Sequence, residues 1–499
     1  MEPFFYAMKL TKDLFRPSLA LLTDFYQLTM AYGYWKNELA DRESVFHLFF
    51  RSNPFGGGYA VSCGLEYVIE YLGHFSFDQT DLDYLSTIKS KGGGAMFEKG
   101  FLDYLGQLKF SCDLDAMPEG TVAFPHEPIL RIKGPIIQCQ LLETPLLNMI
   151  NFQTLIATKS ARINLSAKGE PVLEFGLRRA QGIDGGLSAS RAAYIGGCAS
   201  TSNVLAGKLF GIPVAGTHAH SWIMTFDSEL EAFKAYAHAL PDNCIFLVDT
   251  YDSLQGVRHA IEVGKMLREN GKEMIGIRID SGDLAYISQQ ARNLLDESGF
   301  QDAEIVASND LDENLVQSLK NQDAKITMWG IGTKLATAYD QPALGGVYKM
   351  SAIKDKKGIW DYKIKLSEQI LKINNPGIQQ VRRYYNSSKM VADMIYDINF
   401  GVSDKNIIYH PADYTKRKML DEKALQSQDL LTPVFRQGKL TYELPEIQHI
   451  RKKVKQELDS MYAGIKRFEN PHTYPVGLEE KLYDNKMKLI FKLRHYEQQ

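Results

Sequence analysis

Met274-Ile-Gly-Ile-Arg-Ile-Asp-Ser-Gly-Asp-Leu-Ala-Tyr-Ile-Ser-Gln-Gln-Ala-Arg-Asn-Leu-Leu295 is an apolar run, then a polar turn, then a segment with apolar residues three, four and seven apart. That spacing predicts a helix packed along one face, preceded by a buried strand. The fold is decided by the repetition of this unit. Further apolar runs fall at Val172–Phe175, Ile212–Ala215, Cys244–Val248, Glu304–Ala307, Ile326–Trp329 and Gly346–Met350. Amphipathic segments stand between them at Ser228–Leu240, Leu254–Glu269, Leu284–Glu297 and Glu313–Asn321. Strand, helix, strand at such intervals predicts βα units and a parallel sheet. An unbroken succession of these units favours a closed or nearly closed barrel over an open doubly wound sheet.

Parallel barrels build their active sites from the loops that follow the strands. A polar or glycine-rich cluster follows six of the runs. These are Glu174-Phe-Gly176, Gly216-Thr-His-Ala-His-Ser221, Asp249-Thr-Tyr-Asp252, Arg278-Ile-Asp-Ser-Gly-Asp283, Ser308-Asn-Asp310 and Gly330-Ile-Gly-Thr-Lys334. One such cluster alone reads as a turn with a helix cap. Six at the same end of successive units predict a functional face.

The flanks differ in pattern. Residues 1–150 mix short strands (Ser44–Phe50, Thr121–Phe124, Ile129–Ile132) with helices, one of them near Leu141–Ile156, and Asn53–Gly58 reads as a flexible loop. Residues 356–499 are richer in charge, and Pro445–Tyr462 reads as a surface helix carrying Arg451-Lys-Lys453. Three regions follow: 1–150, the barrel at 151–355, and 356–499. Lys and Arg total 57 against 60 Asp and Glu, a balance that argues against a general nucleic-acid binder. Five scattered cysteines form no CxxC pair, so neither a zinc knuckle nor a disulfide framework is expected. Met1–Leu10 lacks the plan of a signal peptide, and no uncharged apolar run is long enough to span a bilayer. The expected compartment is the cytoplasm, with no membrane partner.

Several of these residues suit particular chemistry. Gly330-Ile-Gly-Thr-Lys334 follows a strand, where glycines let backbone N–H groups approach an anion and Thr333 adds a hydroxyl. It is not a Walker A loop. Arg278 suits a carboxylate or phosphate fork, while Asp280 or Asp283 suits ribose hydroxyls; an internal Arg–Asp pair is the plainer alternative. Asp249 and Asp252 are candidate Mg²⁺ ligands, and Asp252 is equally placed to cap a helix. His220 suits acid–base or phosphoryl-accepting chemistry, a lone histidine being otherwise structural. Phe175 and Tyr26 are candidates to sandwich an aromatic ring, against the plainer role of core packing.

Taken together the motifs resemble the nicotinate phosphoribosyltransferase family. The matching stretches are Leu22-Thr-Asp-Phe-Tyr-Gln-Leu-Thr-Met30, Phe50-Arg-Ser-Asn-Pro-Phe-Gly-Gly57, Glu174-Phe-Gly-Leu-Arg-Arg179, Ser200-Thr-Ser-Asn-Val-Leu-Ala-Gly207, Gly216–Ser221, Leu247–Asp252, Arg278–Asp283, Trp329–Thr333 and Asn470-Pro-His-Thr-Tyr-Pro-Val476. The resemblance implies an irregular α/β barrel, plus an α+β domain built from the N-terminal part and C-terminal segments. It implies a homodimer with shared active sites. The implied reaction joins nicotinate to phosphoribosyl pyrophosphate, with Mg²⁺ as cofactor and ATP as co-substrate phosphorylating His220. By the same resemblance Phe175 and a Tyr26 from a second subunit stack on the pyridine. Arg278 meets the substrate carboxylate or phosphate, Asp280 the ribose and Gly330, Gly332 and Thr333 the 5′-phosphate. Arg178, Thr217 and Ser308 join the substrate-binding set. Related nicotinamide-using enzymes are similar but have an aspartate where this chain has Ser202; a serine donates to a carboxylate that an aspartate would repel. His218 departs from the family pattern and is given no role. A nicotinamide-specific transferase is the nearest alternative. A barrel aldolase or lyase using Lys334 or Lys349 as a Schiff base is the alternative of a different class.

Overall fold

The computed structural model describes residues 18–369, 372–420 and 425–494; Met1–Leu10, read above for a targeting signal, lies outside them. Packing divides the chain into two units. One is Gln153–Pro342 with Glu446–Gln456; the other comprises the chain before Gln153, Ala343–Pro445 and the chain from Glu457 onward.

The first unit contains a sheet of six strands: β1 Val172–Glu174, β2 Ser200–Thr201, β3 Ile245–Leu247, β4 Gly276–Ile279, β5 Glu304–Ser308 and β6 Met328–Ile331. All pairings are parallel, in the order β2-β1-β6-β5-β4-β3. The α-helices that lie wholly within it are α1 Gly182–Ile195, α2 Val204–Phe210, α3 His220–Ile223, α4 Glu229–Ala239, α5 Ser253–Glu269, α6 Leu284–Glu297, α7 Glu313–Asn321 and α8 Thr333–Ala336. Strand residues such as Phe246, Ile277, Ile279, Ile305, Ala307 and Trp329 are fully buried, as expected of a parallel sheet covered on both faces. Helix α6 buries Leu284, Ala285, Ser288, Ala291 and Leu295, the face its periodicity predicts.

Capping fixes where the helices begin. Asp252 accepts from Gln255 N–H at the start of α5, Asp283 from Ala285 and Tyr286 N–H at α6, and Asp312 from Asn314 and Leu315 N–H at α7. Each such cap contributes about 1 kcal/mol. Asp252 and Asp283, weighed above as ligands, each engage one carboxylate oxygen in a cap.

Two expected strands are corrected. Gly346–Met350 begins the strand Gly346–Lys354, which pairs antiparallel with Glu43–Phe50 in the other unit. An apolar run declares burial, but its sheet is chosen by a distant partner. Ile212–Ala215 makes only an isolated bridge, Val214 with Thr201, because Pro213 has no N–H to extend a ladder. Conversely Ser200–Thr201 forms β2, too short to show any periodicity.

The other unit holds two larger sheets. The first orders Trp360–Tyr362, Gly346–Lys354, Glu43–Phe50, Leu130–Pro135, Asp113–Ala116, Thr432–Arg436 and Lys439–Leu440. The second orders Arg417–Met419, Ile407–Tyr409, Val476–Glu479, Lys389–Asp397, Gln379–Asn386 and Gln426–Asp429. Arg383 and Asp393 form a fully buried ion pair in the second, joined by Glu457 and the Tyr474 hydroxyl. Asn53–Gly58 is a loop with a single 3₁₀ turn at Pro54–Gly56. No helix among the described residues is long and apolar enough to cross a membrane.

The close approach of β4 to β5 offers a test. A Cβ at Gly276 would stand 2.2 Å from the Glu304 carbonyl oxygen, so Gly276→Ala must push the strands apart. We expect it to lower the urea unfolding stability by about 1–3 kcal/mol. An unchanged midpoint would show that the strand spacing is not what constrains this position.

Candidate active site

The C-terminal ends of the parallel strands converge on a cavity of about 540 Å³. Strand β1 leads into Phe175, Leu177, Arg178 and Arg179; β2 into Ser202; the segment before α3 supplies Gly216–His220. Strands β4, β5 and β6 contribute Arg278 with Asp280, Ser308 with Asn309 and Asp310, and Gly330, Gly332 and Thr333.

Glu174 organises one wall. Its carboxylate, buried at the end of β1, accepts from Gly176 N–H (2.5 Å), the Ser190 hydroxyl (2.9 Å) and the Thr201 hydroxyl (2.5 Å). Its main-chain carbonyl accepts from Ser202 N–H at 2.9 Å. Phe175 and Ser202 are therefore set relative to each other through one residue. The Phe175 N–H donates to the Ile331 carbonyl (2.8 Å), which ties the same wall to the Gly330–Thr333 turn. A Cβ on Gly330 would lie 2.9 Å from the Phe175 ring, and one on Gly332 would lie 3.1 Å from the Phe175 carbonyl. Gly330 thus makes room for the aromatic ring, and Gly332 for the Phe175 main chain.

On the opposite wall His220 opens α3. Its Nδ1 lies 3.1 Å from the Thr250 hydroxyl and its Nε2 3.9 Å from Asp280 Oδ2. Asp280 Oδ1 accepts from the Ser308 hydroxyl at 2.6 Å. Behind it, Asp249 Oδ2 accepts from Asp280 N–H (2.9 Å) and the Ser281 hydroxyl (2.5 Å), while its Oδ1 is buried without a hydrogen-bond partner. Arg278 donates to the His218 carbonyl at 3.0 Å, and its Nε is buried without a partner. Burial lowers the Arg278 pKa, Asp280 and Asp249 oppose that shift, and Arg178 adds to it. Arginines held close enough to repel one another make a region that favours an anion.

The sequence-predicted residues Phe175, Arg178, Ser202, Thr217, His220, Arg278, Asp280, Ser308, Gly330, Gly332 and Thr333 all line this cavity. Asp249 stands behind the lining, and Tyr26 lies half-exposed on the helix Phe25–Lys36 of the other unit. Sequence reasoning missed Arg179 and passed over Asn309 and Asp310 individually. The Arg-Arg pair directly after a strand was the available signal for the first. Nothing in the sequence announces that Asp310 takes φ 36°, a conformation unusual for a residue with a side chain. Among the described residues no group of three or more His, Cys, Asp or Glu side chains forms a metal-binding set.

A cavity lined by arginines and a glycine turn, at the C-terminal ends of parallel strands, is the arrangement in which α/β enzymes hold small anionic ligands. Comparison with known proteins narrows the class. Models of the nicotinate phosphoribosyltransferase family match residues 21–151 (N-terminal domain), 172–366 (family) and 378–486 (C-terminal domain). The nicotinate phosphoribosyltransferase of Bacillus subtilis (strain 168) is 44% identical over 96% of both chains. That of Dictyostelium discoideum is 39% identical, covering 93% of this chain and 87% of its own. The crystal structure of human nicotinic acid phosphoribosyltransferase superposes with a TM-score of 0.81 at 31% identity, covering 94% of this chain and 99% of its own. The chain belongs to the nicotinate phosphoribosyltransferase family.

Because Gly330 abuts both Phe175 and Ser308, a Gly330→Ala variant should fold but displace the ring. We expect kcat/KM to fall on the order of tenfold to 100-fold, as for other small misplacements in active sites. Wild-type kinetics in a folded variant would remove Phe175 from the substrate's surroundings.

Proposed function

We propose that this chain joins nicotinate to phosphoribosyl pyrophosphate, giving nicotinate mononucleotide and pyrophosphate, with ATP hydrolysis coupled through phosphorylation of His220. The carrying observation is the single cavity that gathers Phe175, Ser202, the arginines, Asp280, His220 and the Gly330–Thr333 turn in a member of this family. The pyridine would lie on Phe175, with its carboxylate toward Ser202 and Arg278. The 5′-phosphate would take the backbone N–H groups and hydroxyl of Gly330–Thr333. Asp280 would accept from the ribose.

In the reaction the C1–O bond to pyrophosphate breaks, the leaving group takes the electron pair, and the pyridine nitrogen forms the C1–N bond. The sugar passes through a cationic, loose transition state, so the enzyme's contribution is positioning and charge stabilisation. Mg²⁺ would neutralise the leaving group's charge. The carboxylates fitted to hold it are Asp280, which faces the cavity, and Asp249, whose Oδ1 is buried and unpartnered. Thr250 engages Nδ1 of His220, leaving Nε2 as the nitrogen for phosphoryl transfer.

The proposal extends to the closure of the sheet as an irregular barrel, supported by the cyclic strand order, in which only β2 and β3 lack a second neighbour. It also includes a homodimer in which Tyr26 of one copy completes the pyridine site of the other. Tyr26 is 47% exposed and sits beside exposed Phe25 and Leu22. Five free cysteines fit a reducing, cytoplasmic setting. The Schiff-base alternative lacks its lysine: Lys349 belongs to the other unit and Lys334 lies over the Tyr339 ring, neither lining the cavity.

The deciding experiment follows nicotinate mononucleotide formation from nicotinate, phosphoribosyl pyrophosphate and Mg²⁺, with and without ATP, running nicotinamide in parallel. Product from nicotinate alone, stimulated by ATP, is expected; product from nicotinamide instead would overturn the acid-specific pocket. His220→Asn should abolish both ATP stimulation and transfer of label from γ-labelled ATP to the protein. Persistence of that stimulation would end the phosphohistidine reading. Ser202→Asp should lower kcat/KM for nicotinate by about tenfold or more through like-charge repulsion, a loss readable in the same assay.

A further inference from the structure

We infer that His218 is a positioning residue: its imidazole stands in for a missing strand at the open edge of β3, and its main chain holds Arg278 at the cavity. The structural half of this inference stands alone, while its catalytic consequence rests on the transferase reading above.

Strand β3 ends the sheet order. Val248 N–H, just past its end, donates to the Arg278 carbonyl of β4 (3.1 Å). Alternation along the strand therefore turns the preceding Leu247 N–H away from β4, toward the open edge. Leu247 is fully buried, so that donor needs an acceptor within the protein. His218 Nε2 supplies it at 3.3 Å. At the other end of the order, Thr201 of β2 donates to the Pro213 carbonyl and accepts from Ala215 N–H, both at 3.0 Å. The segment Pro213–His218 thus bonds to β2 through its backbone and to β3 through a side chain.

Arg278 donates to the His218 carbonyl, and His220 follows two residues later at the start of α3. The ring is fixed among Tyr236, Phe233 and Phe246, with centroids 4.9, 6.0 and 6.4 Å away. To accept at Nε2 the imidazole must be neutral, with its proton on Nδ1. Burial lowers its pKa to about 4; Arg278 and His220 add to that shift, and a contact with the Ala219 main chain opposes it.

Two variants of the full-length protein test this. His218→Phe keeps the aromatic packing and removes the acceptor, whereas His218→Gln can place Oε1 where Nε2 stood. His218→Phe should lower kcat/KM by roughly tenfold, because the unpartnered Leu247 N–H shifts the edge that positions Arg278, and His218→Gln should recover most of it. Added to Arg278→Lys, His218→Phe should cost much less than it does alone, because both act through one contact. Histidine-ring nitrogen NMR, with the His218 signal assigned by its loss in His218→Phe, should show the Nδ1–H tautomer at neutral pH. Hydrogen exchange at Leu247 should quicken in His218→Phe. An Nε2–H tautomer, unchanged Leu247 exchange, a His218→Gln no better than His218→Phe, or full additivity with Arg278→Lys would each overturn the inference. If the protein makes no nicotinate mononucleotide at all, the tautomer and the Leu247 exchange still decide the edge contact by themselves.

Discussion

A buried carboxylate, Glu174, is the interaction on which the cavity depends. Burying such a charge costs several kcal/mol unless donors surround it. Here three donors converge from the Gly176 main chain, Ser190 of α1 and Thr201 of β2, each a charge-assisted bond. The cost of burial makes the arrangement specific, because displacing any donor strands part of the charge. One residue thereby fixes the turn after β1, the neighbouring strand and, through its carbonyl, Ser202. The Phe175–Ile331 bond carries the same constraint to β6 and the glycine turn.

From that anchor the site divides its labour among chemically similar residues. Asp252, Asp283 and Asp312 cap helices and do not line the cavity. Asp249 holds the main chain of Asp280, leaving the Asp280 carboxylate between the Ser308 hydroxyl and His220. The paired histidines divide in the same way. His220 is partly exposed at the cavity, whereas His218 is buried among aromatic rings and bonded to the sheet. In each case a carboxylate or imidazole faces the cavity or holds structure according to the donors that surround it, a property of place and not of residue type.

Local patterns explain how much was legible. The bounds of α6 and α7 match their apolar periodicity because each helix packs one continuous face on the sheet. The polar clusters after β1, β4, β5 and β6 line the cavity, because parallel strands all point their C-terminal ends the same way. Less was legible where partners are remote. Gly346–Lys354 pairs with a strand some three hundred residues earlier, and no local signal selects that partner. The glycines of the Gly330–Thr333 turn spell an anion cradle in sequence, but their contact with Phe175 needs β1 and β6 to be neighbours.

The sequence by itself determined the βα rhythm, the end of the sheet that carries polar residues, and the family to which those motifs belong. These are written in short-range spacing, where a helix or strand reports its own buried face. Tertiary structure alone decided which aspartates cap and which face the cavity, and which strand each apolar run joins. It also decided that a histidine side chain completes the edge of β3. Those outcomes depend on donors and acceptors brought together from far along the chain, and burial makes the pairing obligatory only once the chain has folded.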